Sequence, residues 1–247
     1  MITEDTLFYR IADLYFDIRC LHPQCHAHLA EFAVDAPAHV DAVITTTEAD
    51  IERERTVSQK EGNGENHPAA YLEFLAVCRK VSAALLSHDG FLMHGAVIEY
   101  EGKGYLFTAK SGTGKTTHIL LWKKLFGEDK VTVVNGDKPF LRFLDGQIYA
   151  YGTPWCGKER YMTNTRVPLC GICFVERSVN NHITAISAEQ ALPRLFSQVM
   201  ITDSVDLARQ LELLDVLLSK VPTYLLHCNV EPLAARVAYE GMQEATV

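Results

Sequence analysis

Residues 109–117 read A-K-S-G-T-G-K-T-T. They stand between a short apolar run, 104–109, and a run with helical character, 118–126. A glycine-rich turn in that setting aims backbone N–H groups at one point, beside the positive end of the following helix dipole. Lys115 supplies a full positive charge for the β/γ-phosphates of a nucleotide, and the Thr116 hydroxyl suits a Mg²⁺ ion. The general pattern opens with Gly, and Ala109 stands there instead; close approach of a phosphate rests mainly on Gly112 and Gly114. Ser111, Gly112, Thr113, Gly114, Lys115, Thr116 and Thr117 are therefore the expected phosphate cradle.

Such a cradle needs a carboxylate for the metal, usually at the end of the next buried strand. Residues 131–134 read as that strand, and Asp137 follows it in N-G-D-K, a sequence that is also good turn chemistry. His94-Gly95 lies on the strand expected to pair with the one entering the loop, where a histidine is as readily structural as catalytic. A further loop, 152–160, carries Trp155, Lys158, Glu159 and Arg160 among turn-forming residues. Lys158 and Arg160 would close over a transferred phosphoryl group or bind an anionic substrate, or else sit in solvent as such residues normally do.

The elements that must position these groups can be read from periodicity. Segments 7–11, 14–18, 28–34 and 40–45 have strand character, 48–55 is highly charged, and 56–68 is polar with Gly62-Asn-Gly64, the expected flexible loop. Residues 1–65 are expected to form a small β-rich N-terminal subdomain, and 66–247 the main domain. A helix opens at Pro68, with Tyr71, Phe74, Leu75, Cys78, Val81 and Leu85 on one face. A strand at 91–100, a turn at 101–104 and a strand at 105–108 then deliver the chain to the loop as a hairpin, unlike the parallel entry of most phosphate-loop enzymes. Beyond 138 come a hairpin around Asp145-Gly146, strands at 169–176 and 182–186, a helix capped by Ser187 and Gln190, and a helix with Leu207, Leu211, Leu214 and Leu218 as its core stripe. A strand at 223–228 and a helix at 232–245 complete the chain.

Composition limits the function classes. A net charge of −8 argues against a general nucleic-acid or anionic-membrane surface, though not against a local anion site. No secretory signal is visible and no apolar run is long enough to span a bilayer, so a cytoplasmic protein is expected. Its seven cysteines are then expected to be reduced core residues, including Cys170 and Cys173 on one apolar strand. Cys20, His22, Cys25, His26 and His28 lie close together, but their spacing matches no standard zinc site and no metal is expected there.

The order His-Gly, hairpin, S-G-T-G-K-T-T and an acidic residue after the next strand resembles the HPr kinase/phosphorylase and phosphoenolpyruvate carboxykinase type of P-loop protein, the smaller HPr-kinase-related proteins in particular. Residues 90–145 carry the resemblance. It implies an α/β fold with a mixed β-sheet P-loop core, and ATP- and Mg²⁺-dependent transfer of a phosphoryl group to a hydroxyl of a small molecule or peptide. It places Lys115 and Thr116 at phosphate and metal, Asp137 as the metal carboxylate and His94 near the transferred phosphate. The short length argues against carboxykinase activity. HPr kinases assemble, which leaves a homo-oligomer open. HPr kinases carry two consecutive acidic residues where this chain has Gly136-Asp137, so the expected activating base is missing. Asp137 in both roles, His94 or Glu159 as base, and nucleotide binding without fast transfer all remain open, as does a nucleotide hydrolase.

Overall fold

The computed structural model describes residues 7–60, 67–201 and 207–244. Its contacts separate into two units, Met1–Ser87 and His88–Val247.

In the first unit, β1 (Leu7–Ile11) and β2 (Leu14–Arg19) form an antiparallel hairpin. Its two turn residues, Ala12 and Asp13, both take positive φ, +54° and +61°, the backbone twist a two-residue hairpin turn requires. After α1 (Pro23–Leu29) and one 3₁₀ turn (Ala30–Phe32), β3 (Ala33–Val34) pairs with β1, and β4 (Ala42–Thr45) runs parallel to β2. The sheet order is β3-β1-β2-β4. The strand expected at 28–34 is thus reduced to two residues. Cys25, Leu29 and Phe32 are all buried, and their spacings of four and three are a helical period. The charged run from 48 is helix α2 (Glu48–Lys60), which lies on α3 (Ala69–Leu86) and buries Glu54 against Arg79 through a pair of guanidinium–carboxylate hydrogen bonds of 2.5 and 3.2 Å. The expected β-rich subdomain ending at 65 is therefore corrected. The unit is mixed α/β and runs to Ser87, because α3 packs on α1, α2 and β4. The Gly62-Asn-Gly64 loop lies outside the described residues.

The second unit holds a nine-stranded mixed sheet. Its strands are β5 (Gly90–Leu92), β6 (Ala96–Tyr100), β7 (Lys103–Thr108), β8 (Val131–Asn135), β9 (Phe140–Leu144), β10 (Gln147–Tyr151), β11 (Arg166–Arg177), β12 (His182–Ile186) and β13 (Thr223–Cys228). The path is β5-β9-β10-β11-β7-β6-β8, with β13 also parallel to β11 and β12 antiparallel to β13. The helices are α4 (Lys115–Phe126), α5 (Ala188–Phe196), α6 (Leu207–Lys220) and α7 (Leu233–Glu244). The one strand expected at 91–100 is broken at Met93–Gly95 into β5, on β9, and β6, between β7 and β8. At the break the backbone N–H of His94 donates to Gln198 O and that of Gly95 to Asp137 O, so these peptides bond to loops and not to a ladder. The Leu207/Leu211/Leu214/Leu218 stripe is also corrected. Gln210, Leu213, Leu214 and Leu217 face inward, while Leu207 and Leu211 are 45% and 43% exposed.

Directions fix the working edge of this sheet. Strand β6 is antiparallel to both β7 and β8, so β7 and β8 run the same way, and β11 is parallel to β7. The carboxyl ends of β7, β8 and β11 and the amino end of β6 therefore meet at one edge. Behind that edge, Trp122 of α4 packs among Tyr105, Phe107, Phe126 and Tyr239, with ring centroids 5.1–5.8 Å apart. This core anchors the helix that follows the glycine-rich loop. Among the described residues, no helix is long and apolar enough to cross a membrane.

Candidate functional site

Strand β7 ends at Thr108, and the glycine-rich loop leads directly into α4, whose N-cap is Gly114. Gly112 and Gly114 take φ of +76° and +121°, which a side chain would strain, and no atom lies within 4 Å of where a Cβ would stand at either. The loop thus keeps an open face at the amino end of a twelve-residue helix, a fit to a phosphate chain and its N–H partners. Arg177, at the end of β11, donates from Nε to Thr113 O (2.9 Å) and from Nη2 to Gly112 O (2.5 Å). Holding these two carbonyls from the outside turns the peptide N–H groups of Thr113 and Gly114 away from Arg177.

Lys115 starts α4 and is 8% exposed. Its ammonium donates to Ala109 O (3.2 Å) and contacts His94 Nε2 (3.1 Å). Burial lowers its pKa below the ordinary lysine value, a trend the Asp137 charge opposes and the Lys138 charge reinforces. His94 Nε2 also lies 3.3 Å from Asp137 Oδ1, while Nδ1 sits 3.0 Å from Gln198 Oε1. The Thr108 hydroxyl donates to His94 O, fixing the segment that carries the ring. Gly95 belongs here for steric reasons: a Cβ would come to 3.1 Å from Phe107 O on the neighbouring strand.

Asp137 follows β8 in a turn built by Asn135, whose buried Oδ1 accepts from the backbone N–H groups of Asp137 and Lys138 (2.9 and 2.8 Å). Asn135 is itself held by Thr153. The Asp137 carboxylate contacts His94 through Oδ1 and Lys138 Nζ through Oδ2 (2.6 Å). Burial works to raise its pKa, but the hydrogen bond with His94 and the Lys138 ammonium outweigh burial and hold it well below the usual carboxylate range. An ionised carboxylate keeps further lone-pair sites, so Asp137 can hold a divalent cation as well. The preceding Gly136 is packed in: a Cβ would meet Cys156 O at 3.1 Å and Tyr161 Cβ at 3.3 Å. A side chain at this position would need the 156–161 segment to give by a few tenths of an ångström.

The structure therefore brings Lys115 and Asp137 each into contact with His94 at the edge the strand directions define. Thr116 is half-buried, and Ser111 and Thr117 are exposed, on the same loop and helix start. Lys158, Glu159 and Arg160 do not join the cluster. They are exposed, and their side chains form no ion pair or hydrogen bond among the described residues. Their loop does approach the cluster, since Lys138 N donates to Trp155 O and Gly157 packs against Asp137. Trp155 is buried on Phe140 and offers no stacking surface. Sequence reading missed Lys138, Arg177 and Gln198. Lys138 adjoins Asp137 and Arg177 ends an apolar strand, both legible signals; Gln198, 104 positions from His94, gives none.

No family model and no curated protein matches the chain. Among solved structures, the chain is similar to the Hpr(Ser) kinase/phosphatase from Coxiella burnetii, at 12% sequence identity and a TM-score of 0.37, over 62% of this chain and 92% of that one. A likeness that distant assigns no residue a role.

Proposed function

We propose that this protein is an ATP- and Mg²⁺-dependent kinase of the HPr-kinase-related type, passing the γ-phosphoryl group to a hydroxyl of a small molecule or peptide. The contact of Lys115 with His94, and of His94 with Asp137, beside an open glycine-rich helix start carries this reading. Residues 111–117 would hold the phosphates, and Thr116 with Asp137 the metal, which when bound spreads the charge that builds up in transfer. His94 is the group best placed to receive the acceptor's proton. Its Nε2 faces Asp137 Oδ1, which would stabilise the imidazolium form, and its Nδ1 faces Gln198 Oε1. Lys115 occupies Nε2 until a phosphate draws its ammonium away. Exposed Glu159 is the weaker candidate for that role.

A second reading, a nucleotide-binding accessory protein with little turnover, is favoured by one observation: the packed Gly136, which leaves no second acid beside Asp137. Incubation with γ-labelled ATP, Mg²⁺ and panels of hydroxyl-bearing small molecules and peptides separates the two. Label transferred to an acceptor supports the kinase. Tight ATP binding with all label retained at the γ position rejects it in favour of the accessory protein, and steady release of inorganic phosphate without acceptor identifies a hydrolase.

A further inference from the structure

The first unit contains a second cluster that the kinase reading does not use. Cys20 closes β2's exit and Cys25 lies in α1, and their sulfurs are 3.1 Å apart, with Cys20 donating to Cys25. Glu73 of α3 stands beside them; one ligand atom from each of the three residues falls within 4.8 Å of the others. Glu73 is fully buried, and its carboxylate accepts from Leu21 N (2.5 Å), His22 N (2.9 Å) and the Thr46 hydroxyl. Those three bonds use three of the roughly four acceptor sites a carboxylate offers and leave one over. His22, whose own N–H binds Glu73, has an Nε2 sealed from solvent with no hydrogen-bond partner. Two thiols and a buried carboxyl group share one small volume.

We propose that Cys20, Cys25 and Glu73 form a binding site for a divalent cation of the zinc class. Two sulfur donors and one oxygen donor suit such an ion, which then leaves its fourth tetrahedral position to water. With metal–sulfur bonds of about 2.3 Å, a tetrahedral ion sets its two sulfurs about 3.8 Å apart. The pair must open by several tenths of an ångström, and partly exposed Cys20 is the side chain with room to turn. Binding is a proton exchange: the ion forms two metal–sulfur bonds, two S–H bonds break, and two protons leave to solvent. A disulfide between the same sulfurs fits less well. It leaves the remaining acceptor site of the Glu73 carboxyl group without a partner. A bound ion would tie the 20–25 segment to α3 and, through Thr46, to the end of β4.

The test is a Co²⁺ titration of the reduced, chelator-treated full-length protein under nitrogen. One equivalent should saturate a thiolate-to-cobalt charge-transfer band, and one equivalent of Zn²⁺ should displace it. Zn²⁺ should protect two of the seven cysteines from a thiol reagent. Affinity should rise with pH, by up to ~100-fold per unit where both thiols start protonated. Cys20→Ser should weaken binding at least ~10-fold, and Cys170→Ser should leave it unchanged. Should Cys25→Ser fail to fold, the partly exposed Cys20 carries the comparison. A wild-type protein without the band, a band that survives Cys20→Ser at full strength, or a Cys20–Cys25 disulfide that forms while cobalt never binds would each overturn the proposal. The failure would leave the kinase reading untouched, because none of these groups belongs to it.

Discussion

Lys115 is the single group whose loss should cost most at the candidate site. A unit charge about 4 Å from a phosphate, at an effective dielectric of about 20, is worth up to ~4 kcal/mol, or roughly a thousandfold in rate. Lys115→Ala should therefore lower ATP-dependent transfer by about that factor with circular dichroism unchanged, and a variant with wild-type rate would remove the glycine-rich loop from the chemistry. Arg177 acts one step away, by gripping the carbonyls of Gly112 and Thr113. It is exposed, so its loss should barely move Tm, yet the loop peptides would lose their fixed orientation. Arg177→Gln should weaken ATP binding by about tenfold, the low end for losing a charge-assisted pair of hydrogen bonds. Arg177→Lys should recover only part of it, because an ammonium lacks the planar fork that spans two carbonyls. Equilibrium dialysis alongside a melting curve separates this from simple destabilisation.

At the scale of elements, the end of β8 and the 156–161 segment define one another. A side chain at 136 would press on Cys156 O and Tyr161, and overpacking of this kind costs about 1–3 kcal/mol. Gly136→Asp should lower Tm and fail to speed transfer; a faster enzyme with wild-type Tm would show that the segment yields easily and that the acid was merely absent. Helix α4 carries a different constraint. His118, one turn into it, is buried against Phe107 and accepts from Trp122 Nε1 at 3.1 Å. Burial pushes its pKa down to about 3 from an ordinary 6.5. As pH falls below 6.5 the unfolded chain takes up a proton there and the folded chain does not, so stability is full above 6.5 and is lost toward pH 3. The limiting slope is ~1.4 kcal/mol per pH unit. His118→Gln, which keeps an acceptor for Trp122, should flatten the dependence of Tm on pH between about 6 and 4, and an unchanged slope would mean that other groups govern acid unfolding.

For the molecule as a whole, the two units would, on the proposals above, carry separate ligands. A ligand at about 100 times its Kd stabilises the form that binds it by ~2.7 kcal/mol. In hydrogen exchange, ATP with Mg²⁺ should slow the amides of 109–126 and 135–138, and Zn²⁺ those of 20–29 and 69–77. Protection that appears in the opposite unit would contradict this division. The net charge of −8 sets no obstacle to an anionic ligand, because Lys115 and Lys138 lie beside Asp137 and Arg177 holds the glycine-rich loop at the same edge.

Much of this was legible in the chain itself. The glycines at 112 and 114, the hairpin ahead of them, Asp137 after the next strand and the Ser187 capping box are local: each follows from backbone freedom, period or spacing over a few residues, and each appears where expected. The tertiary structure decided what depends on distant partners. A helix's apolar face does not say which sheet it covers, so only packing assigned α3 to the first unit. Composition around 28–34 favoured a strand, and burial at helical spacing overrode it. Strand direction, which no single segment encodes, set His94, Lys115, Asp137 and Arg177 at one edge. Close packing filled the space at Gly136, left the 158–160 charges in solvent, and brought Glu73 from fifty residues away to the two cysteines whose spacing alone had promised nothing.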